Sequence, residues 1–191
     1  MPDAEGVLTL FSAHLLGVLG AASGRAGVSF VGADPIEVLR FGPDARGLVR
    51  YVTLGMSRAP MTGADSGIVA VDGPRAELLL TVRGCHDTVL RRLAVLAASP
   101  AVEGVVVQPG ARLDLAEPLW DRAPFTAVLV GEPGGAIPSL EEPGVDVLPL
   151  LPMTGNESAW ARVHGSDALT LRWRGAGTDL RDPHRRAVVL D

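Results

Sequence analysis

Apolar residues recur every three or four positions near the start of the chain. The set consists of Leu8, Phe11, Leu15, Val18 and Leu19. This period predicts an amphipathic helix with one buried face. We expect the helix to end within residues 20–27, where spaced glycines are typical of a helix terminus followed by a loop.

Several later segments have the length and composition of strands. Residues 36–41 alternate partly between apolar and polar, residues 49–54 are rich in β-branched and aromatic side chains, and turn residues separate the two. Residues 75–83 are too apolar for a strand with one wet face, so we expect them at the centre of a sheet. Residues 125–130 and 145–151 are further strand candidates.

A second helix is predicted directly after the central strand. Asp87 or Thr88 can cap its start, and the residues that follow place apolar side chains on one face. We expect Pro100 to end it, because proline removes a backbone donor from a helix.

The last helical region opens on a capping-box pattern. Thr154 is followed three residues later by Glu157, and Trp160 and Val163 then supply an apolar face. A second helical piece is expected from Ser166 onward.

The predicted order of elements is helix, strands, helix, strands and helices. That order favours an α/β (α+β) fold, in which helices pack on a mixed central sheet. A chain of 191 residues is of a size for one domain, and we expect residues 1–191 to form it.

The charge pattern excludes several function classes. The chain has 22 acidic and 17 basic residues, a net charge of −5, and every basic residue is Arg. Without Lys it can hold neither a P-loop nor a Schiff base. Without an Arg-rich tract it lacks the cation cluster with which proteins track nucleic-acid phosphates.

The sequence also predicts a cytoplasmic protein that does not insert into membranes. Its apolar stretches are shorter than the roughly 20 residues needed to span a bilayer, and the N-terminal segment lacks the positive region of a secretory signal. Cys85 is the single cysteine, so no internal disulfide can form.

The run Cys85, His86 and Asp87 raises the question of catalysis. Three consecutive side chains cannot supply the serial geometry of a nucleophile, a base and an orienting acid, so a strand-to-helix turn is the favoured interpretation. We expect no catalytic residue and no cofactor. The four histidines are scattered without ligand spacing, so we also expect no metal site. The alternative is a small hydrolase or transferase with a site near Cys85 and His86.

Short motifs then occur in a recognisable order. Residues 50–57 read RYVTLGMS, DGP at 72–74 precedes ELLLTVR at 77–83, LLPMT lies at 150–154, and TDLR lies at 178–181. This succession resembles the suppressor of fused (SUFU) domain family, and specifically its single-domain bacterial type.

The resemblance implies a non-catalytic α/β domain that binds other proteins. Single-domain bacterial members have been proposed as immunity proteins that neutralise polymorphic toxins, so the implied partner is a protein, and a toxin domain in particular. The acidic balance of this chain suits a basic partner. The choice between immunity and signalling stays open, as does the oligomeric state. A homo-oligomer built on an exposed sheet edge is a further alternative.

The resemblance also indicates candidate partner-binding residues. It places residues 58–73, with Asp72, beside the partner groove of the animal form. The other candidates lie in the motifs themselves and are Tyr51, Ser57, Asp179 and Arg181. A charge-assisted hydrogen bond between Asp179 and Arg181 would instead pin the C-terminal segment, so a structural role is the competing interpretation.

Overall fold

A seven-stranded mixed sheet organises the chain. The computed structural model describes residues 3–63, 73–115 and 117–190. The strands are β1 (Gly24–Phe30), β2 (Ala33–Phe41), β3 (Leu48–Leu54), β4 (Ala76–Arg83), β5 (Arg112–Asp114), β6 (Phe125–Val130) and β7 (Asp146–Thr154). The helices are α1 (Ala4–Leu19), α2 (Thr88–Glu103), α3 (Gly155–His164) and α4 (Ser166–Gly175), and a 3₁₀ turn spans Met56–Arg58.

The strand order is β1-β2-β3-β4-β7-β6-β5. The first four strands form an antiparallel meander, β4 and β7 run parallel, and β7, β6 and β5 are antiparallel again. β4 lies at the centre and is buried over most of its length, as its apolar composition predicts. The mixed sheet with packed helices confirms the predicted fold class.

Helices cover both faces of the sheet. α2 packs its Leu93 into a cluster with Val38, Tyr51 and Leu80 on one face. On the other face α1 covers residues of β2, β3 and β4, while α3 and α4 cover β6 and β7. No helix within the described residues is long and apolar enough to cross a membrane.

The structure corrects the predicted end of α2. The helix continues past Pro100 to Glu103 and stops at Gly104, which has a left-handed φ of 65°. Proline deprives the carbonyl of Leu96 of its usual backbone donor, and the hydroxyl of Ser99 donates to that carbonyl instead at 2.8 Å. One local side-chain hydrogen bond therefore offsets the break that proline normally causes.

Residues 24–30 form a strand rather than the predicted loop. Ala26, Val28 and Phe30 alternate with exposed positions and are half-buried. The two glycines of this segment hide that alternation in the sequence. In α3 the predicted apolar face is also partly wrong, since Val163 is exposed while Ala161 is buried.

Candidate functional site

A buried carboxylate joins two of the sequence motifs. The side chain of Glu77, at the start of β4, is inaccessible to solvent. Its Oε1 accepts hydrogen bonds from the Gly55 N–H at 2.8 Å, the Ser57 N–H at 2.9 Å and the Ser57 hydroxyl at 2.7 Å. Its Oε2 accepts from the Thr53 hydroxyl at 2.6 Å. We refer to Thr53, Gly55, Ser57 and Glu77 as the Glu77 clamp.

The clamp requires glycine at position 55. Gly55 has a φ of 140°, which other residues rarely adopt. A Cβ at this position would also lie 3.0 Å from the carbonyl oxygen of Pro35. The motif glycine therefore lets the chain turn sharply against β2 and bring two backbone N–H groups to Glu77.

Burial raises the pKa of Glu77, and the hydrogen bonds from Thr53, Ser57 and Gly55 oppose that rise. Among the described residues no cation contacts this carboxylate. Arg75, two residues earlier, instead donates from Nη1 to the carbonyl oxygens of Ser57 at 2.7 Å and Arg58 at 2.8 Å. The turn at residues 55–58 is thus held from both its N–H and its C=O sides.

Tyr51 anchors the turn at the opposite end of β4. Its buried hydroxyl accepts a hydrogen bond from the His86 N–H at 2.7 Å, and burial raises the pKa of Tyr51. The His86 ring stacks on Trp120 with 4.8 Å between ring centroids. Tyr51 therefore connects β3 with the residues that lead into α2.

The run Cys85, His86 and Asp87 forms the predicted strand-to-helix turn. Cys85 is exposed. His86 Nε2 lies 3.1 Å from the carbonyl oxygen of Arg83, and Asp87 pairs with Arg40 at 3.0 Å. His86 and Asp87 thus contact groups other than Cys85. Within residues 3–63, 73–115 and 117–190, no group of three or more His, Cys, Asp or Glu side chains is placed to hold a metal ion.

The TDLR motif attaches the C-terminal segment to the end of β4. Asp179 pairs with Arg83 at 2.6 Å and accepts from Arg181 Nε at 3.1 Å, while the Arg83 N–H donates to the Arg181 carbonyl at 2.9 Å. Partial burial raises the pKa of Asp179, but hydrogen bonds from Arg181 and Arg83 outweigh it and lower the pKa to about 2. Asp179 and Arg181 keep part of their side chains exposed.

A buried ion pair anchors the same segment further along. Arg185 donates to both carboxylate oxygens of Glu157 at 2.8 Å, and Glu157 completes the predicted capping box with Thr154. Trp173 Nε1 and the Val188 N–H also donate to Glu157. Burial raises the pKa of Glu157, but hydrogen bonds from Arg185, Thr154, Trp173 and Val188 together lower it.

The candidate partner-binding residues therefore fall in different places. Tyr51 and Ser57 are fully buried, whereas Asp179 and Arg181 reach the surface at the opposite end of β4 from Ser57. Asp72 lies outside the described residues. The flanks of its loop are tied together where the Met61 N–H donates to the Pro74 carbonyl at 2.8 Å.

The sequence predicted the hydrogen bond between Asp179 and Arg181, which the structure contains, but it did not predict the long-range partners of the motif residues. Glu77 gave a usable signal, because a carboxylate inside an otherwise apolar central strand must find several donors. No sequence pattern indicated that Arg83 pairs with Asp179 or that Arg185 pairs with Glu157, because each pair joins positions far apart in the chain.

A family model matches most of this chain. The model of the suppressor of fused protein (SUFU) family matches residues 32–186. A SUFU homologue from Neisseria gonorrhoeae is 18% identical, with 96% of this chain and 97% of that chain covered and a TM-score of 0.73. A chain of the Sufu–Fu complex is 13% identical, with 95% of this chain and 91% of that chain covered and a TM-score of 0.66.

Drosophila Suppressor of Fused is also 13% identical, with 98% of this chain but 51% of that chain covered and a TM-score of 0.64. A search of curated proteins finds no match to this sequence. At these identities the solved structures show a shared fold.

Proposed function

The chain belongs to the suppressor of fused family, and on that premise we propose that it acts as a single, non-catalytic domain that binds another protein. The family match carries the proposal, because it covers most of the chain. The solved Sufu–Fu complex adds support, since it contains a chain of this fold in a complex named for two proteins.

We place the principal partner surface at the loop of residues 58–73, with Asp72. The Glu77 clamp and Arg75 fix the backbone at the start of this loop, so that Ser57 acts by positioning the surface rather than by touching the partner. Tyr51 also acts without touching the partner, but it positions the turn at His86, at the opposite end of β4.

Asp179 and Arg181 are proposed as a second, separate contact. They lie beside Arg83, six residues along β4 from Glu77, which corresponds to about 20 Å at strand spacing. One small partner segment cannot cover both places. A partner that touches both must extend across the sheet.

The finer proposal is that the partner is a toxin domain, and that this chain neutralises it as an immunity protein. The net charge of −5 would steer a basic toxin towards it. Co-expression with a toxin tests this directly, if sequencing of the neighbouring genes shows that one is encoded there. Restored growth supports immunity, and unchanged killing rejects the toxin as the partner.

The broader proposal is tested by affinity purification of the tagged protein, after cross-linking in the organism that encodes it. We expect one protein to be enriched with the wild-type chain and lost with Asp72→Arg. The matched control is Glu141→Arg, an exposed acidic position in a different loop. Failure to enrich any protein above an untagged control would reject protein binding.

A further inference from the structure

A groove of about 440 Å³ lies between α1 and the β1–β2 side of the sheet. It exists because α1 packs on β2, β3 and β4, and the apolar cluster beneath α1 includes no residue of β1. Leu8 and Leu54 form its buried floor, while Leu16 and Pro35 reach solvent at its walls. Leu16 is 47% exposed, so about half of a large apolar side chain faces solvent in the groove.

Two groups of charged side chains border this groove, and the one around Arg58 carries an excess of carboxylates. Arg58 pairs with Glu5 and lies 3.7 Å from Asp34, while Arg25 pairs with Glu37. Three carboxylates thus face two guanidinium groups. The side chains of Glu5 and Asp34 are 75% and 69% exposed, whereas that of Arg58 is only 21% exposed. At Arg58 the carboxylates are therefore the charges presented to an arriving partner. In the other pair Arg25 is the more exposed member, at 61% against 35% for Glu37.

The wall of the groove is fixed by contacts already described. Arg58 follows Ser57, whose hydroxyl and N–H are bound by Glu77, and Arg75 holds the carbonyl oxygens of both Ser57 and Arg58. Arg58 is also the first residue of the proposed partner loop. The groove is therefore continuous along the chain with the first residue of that proposed surface.

We infer that this groove receives a basic segment of the protein partner. The segment would pack one large apolar side chain against Leu16 and Pro35, and direct Arg or Lys side chains to Glu5 and Asp34. This inference rests on the proposed function, and it adds a second binding position and the chemistry of the segment that occupies it.

Panning a phage library of random 12-residue peptides against the purified full chain tests the inference. We expect the enriched peptides to combine Arg or Lys with large apolar residues, and to lose at least tenfold in affinity on Leu16→Arg. Leu10→Arg is the matched control, because Leu10 lies on the same helix, is 46% exposed and does not line the groove. Ala13→Arg is a second substitution in the groove and should weaken peptide binding as well. Agreement between the two variants would show that a folding defect in Leu16→Arg does not cause the loss.

Enrichment of acidic or uncharged peptides, no enrichment, or equal losses with Leu16→Arg and Leu10→Arg would each overturn the inference. Light scattering that shows wild-type self-association, abolished by Leu16→Arg, would assign the groove to a second copy and overturn the inference too.

Binding experiments with the purified partner distinguish failure of this inference from failure of the proposed function. If the partner binds Leu16→Arg as tightly as it binds the wild type, the partner does not occupy the groove. The proposal of protein binding is then unaffected. If no cellular protein is captured but basic peptides occupy the groove, protein binding in the cell is rejected instead.

Discussion

The hydroxyl of Ser57 donates a 2.7 Å hydrogen bond to the carboxylate of Glu77, and neither side chain reaches solvent. This contact gives a physical reason for two sequence motifs at once. The glycine of the first motif permits the turn, and its serine and the glutamate of the second motif close it. The start of the proposed partner loop is therefore attached to the central strand of the sheet.

Replacing Glu77 with Gln should change how stability depends on pH. Burial raises the pKa of Glu77 above its ordinary value of 4.5, so the folded protein holds this proton more tightly than the unfolded chain. The contribution of Glu77 to the free energy of unfolding is thus largest below pH 4.5 and falls as pH rises through the folded pKa. Gln does not titrate, so the difference between wild type and variant should shrink with rising pH in urea denaturation.

Glu77→Leu provides the comparison for that experiment. It leaves the Gly55 and Ser57 donors buried without an acceptor, which should cost at least about 2 kcal/mol at every pH. If the wild type and Glu77→Gln have parallel pH profiles, the carboxyl does not titrate as inferred.

Gly55→Ala should destabilise the fold by about 2–4 kcal/mol. The substitution places a residue with a Cβ at a φ of 140° and 3.0 Å from the Pro35 carbonyl oxygen. Gly47→Ala is the control, because Gly47 has a positive φ of 71° but open space around it, and should cost about 1–2 kcal/mol. Chemical denaturation measures both, and equal losses would show that the close approach at Gly55 contributes nothing.

Arg185→Met should cost about 3–5 kcal/mol, because it leaves the Glu157 carboxylate buried without its cation. The neighbouring exposed residue gives the control, since Arg186→Met should change the melting temperature little. Thermal unfolding followed by circular dichroism compares the two. A loss no larger than that of the control would mean that the C-terminal segment does not stabilise the domain.

Asp179 predicts an acid-sensitive attachment of the C-terminal segment. Its pKa is lowered from 3.8 to about 2, so its stabilising contribution is complete above pH 3.8 and is lost as pH falls towards 2. Asp179→Asn should therefore reduce the free energy of unfolding at pH 6 and converge with wild type near pH 2. Glu142→Gln, on an exposed loop, serves as the control and should change the free energy of unfolding little at pH 6. A constant difference from pH 6 to 2 would contradict the assignment.

Local patterns predicted much of this fold. The spacing from Leu8 to Leu19 predicted α1, the apolar run in β4 predicted a central strand, and Thr154 with Glu157 predicted a helix start. Each depends on neighbours within a few positions. The prediction was wrong for Gly24–Phe30, which forms a strand by pairing with β2. It was also wrong for the end of α2, where the Ser99 hydroxyl replaces the backbone donor that Pro100 lacks.

The candidate site was less predictable for the same reason. The motif residues and the local Asp179–Arg181 hydrogen bond were predicted. The long-range partners were not, because the bonds from Arg83 to Asp179 and from Glu157 to Arg185 join segments that meet only in the folded chain. The groove beside Leu16 was also missed. It depends on where α1 comes to rest on the sheet, which the period of the helix does not specify.

The single parallel pairing in the sheet has a consequence for how this protein folds. Among the described strands, every other pair joins consecutive strands, whereas Ala76 of β4 lies opposite Asp146 of β7. Closing so long a loop is entropically costly, so each antiparallel block should form before the two dock. We therefore expect the docking of β4 against β7 to limit the rate of folding. Substitutions at Leu78 and Leu148, which face each other across that seam, should slow refolding more than those within either block.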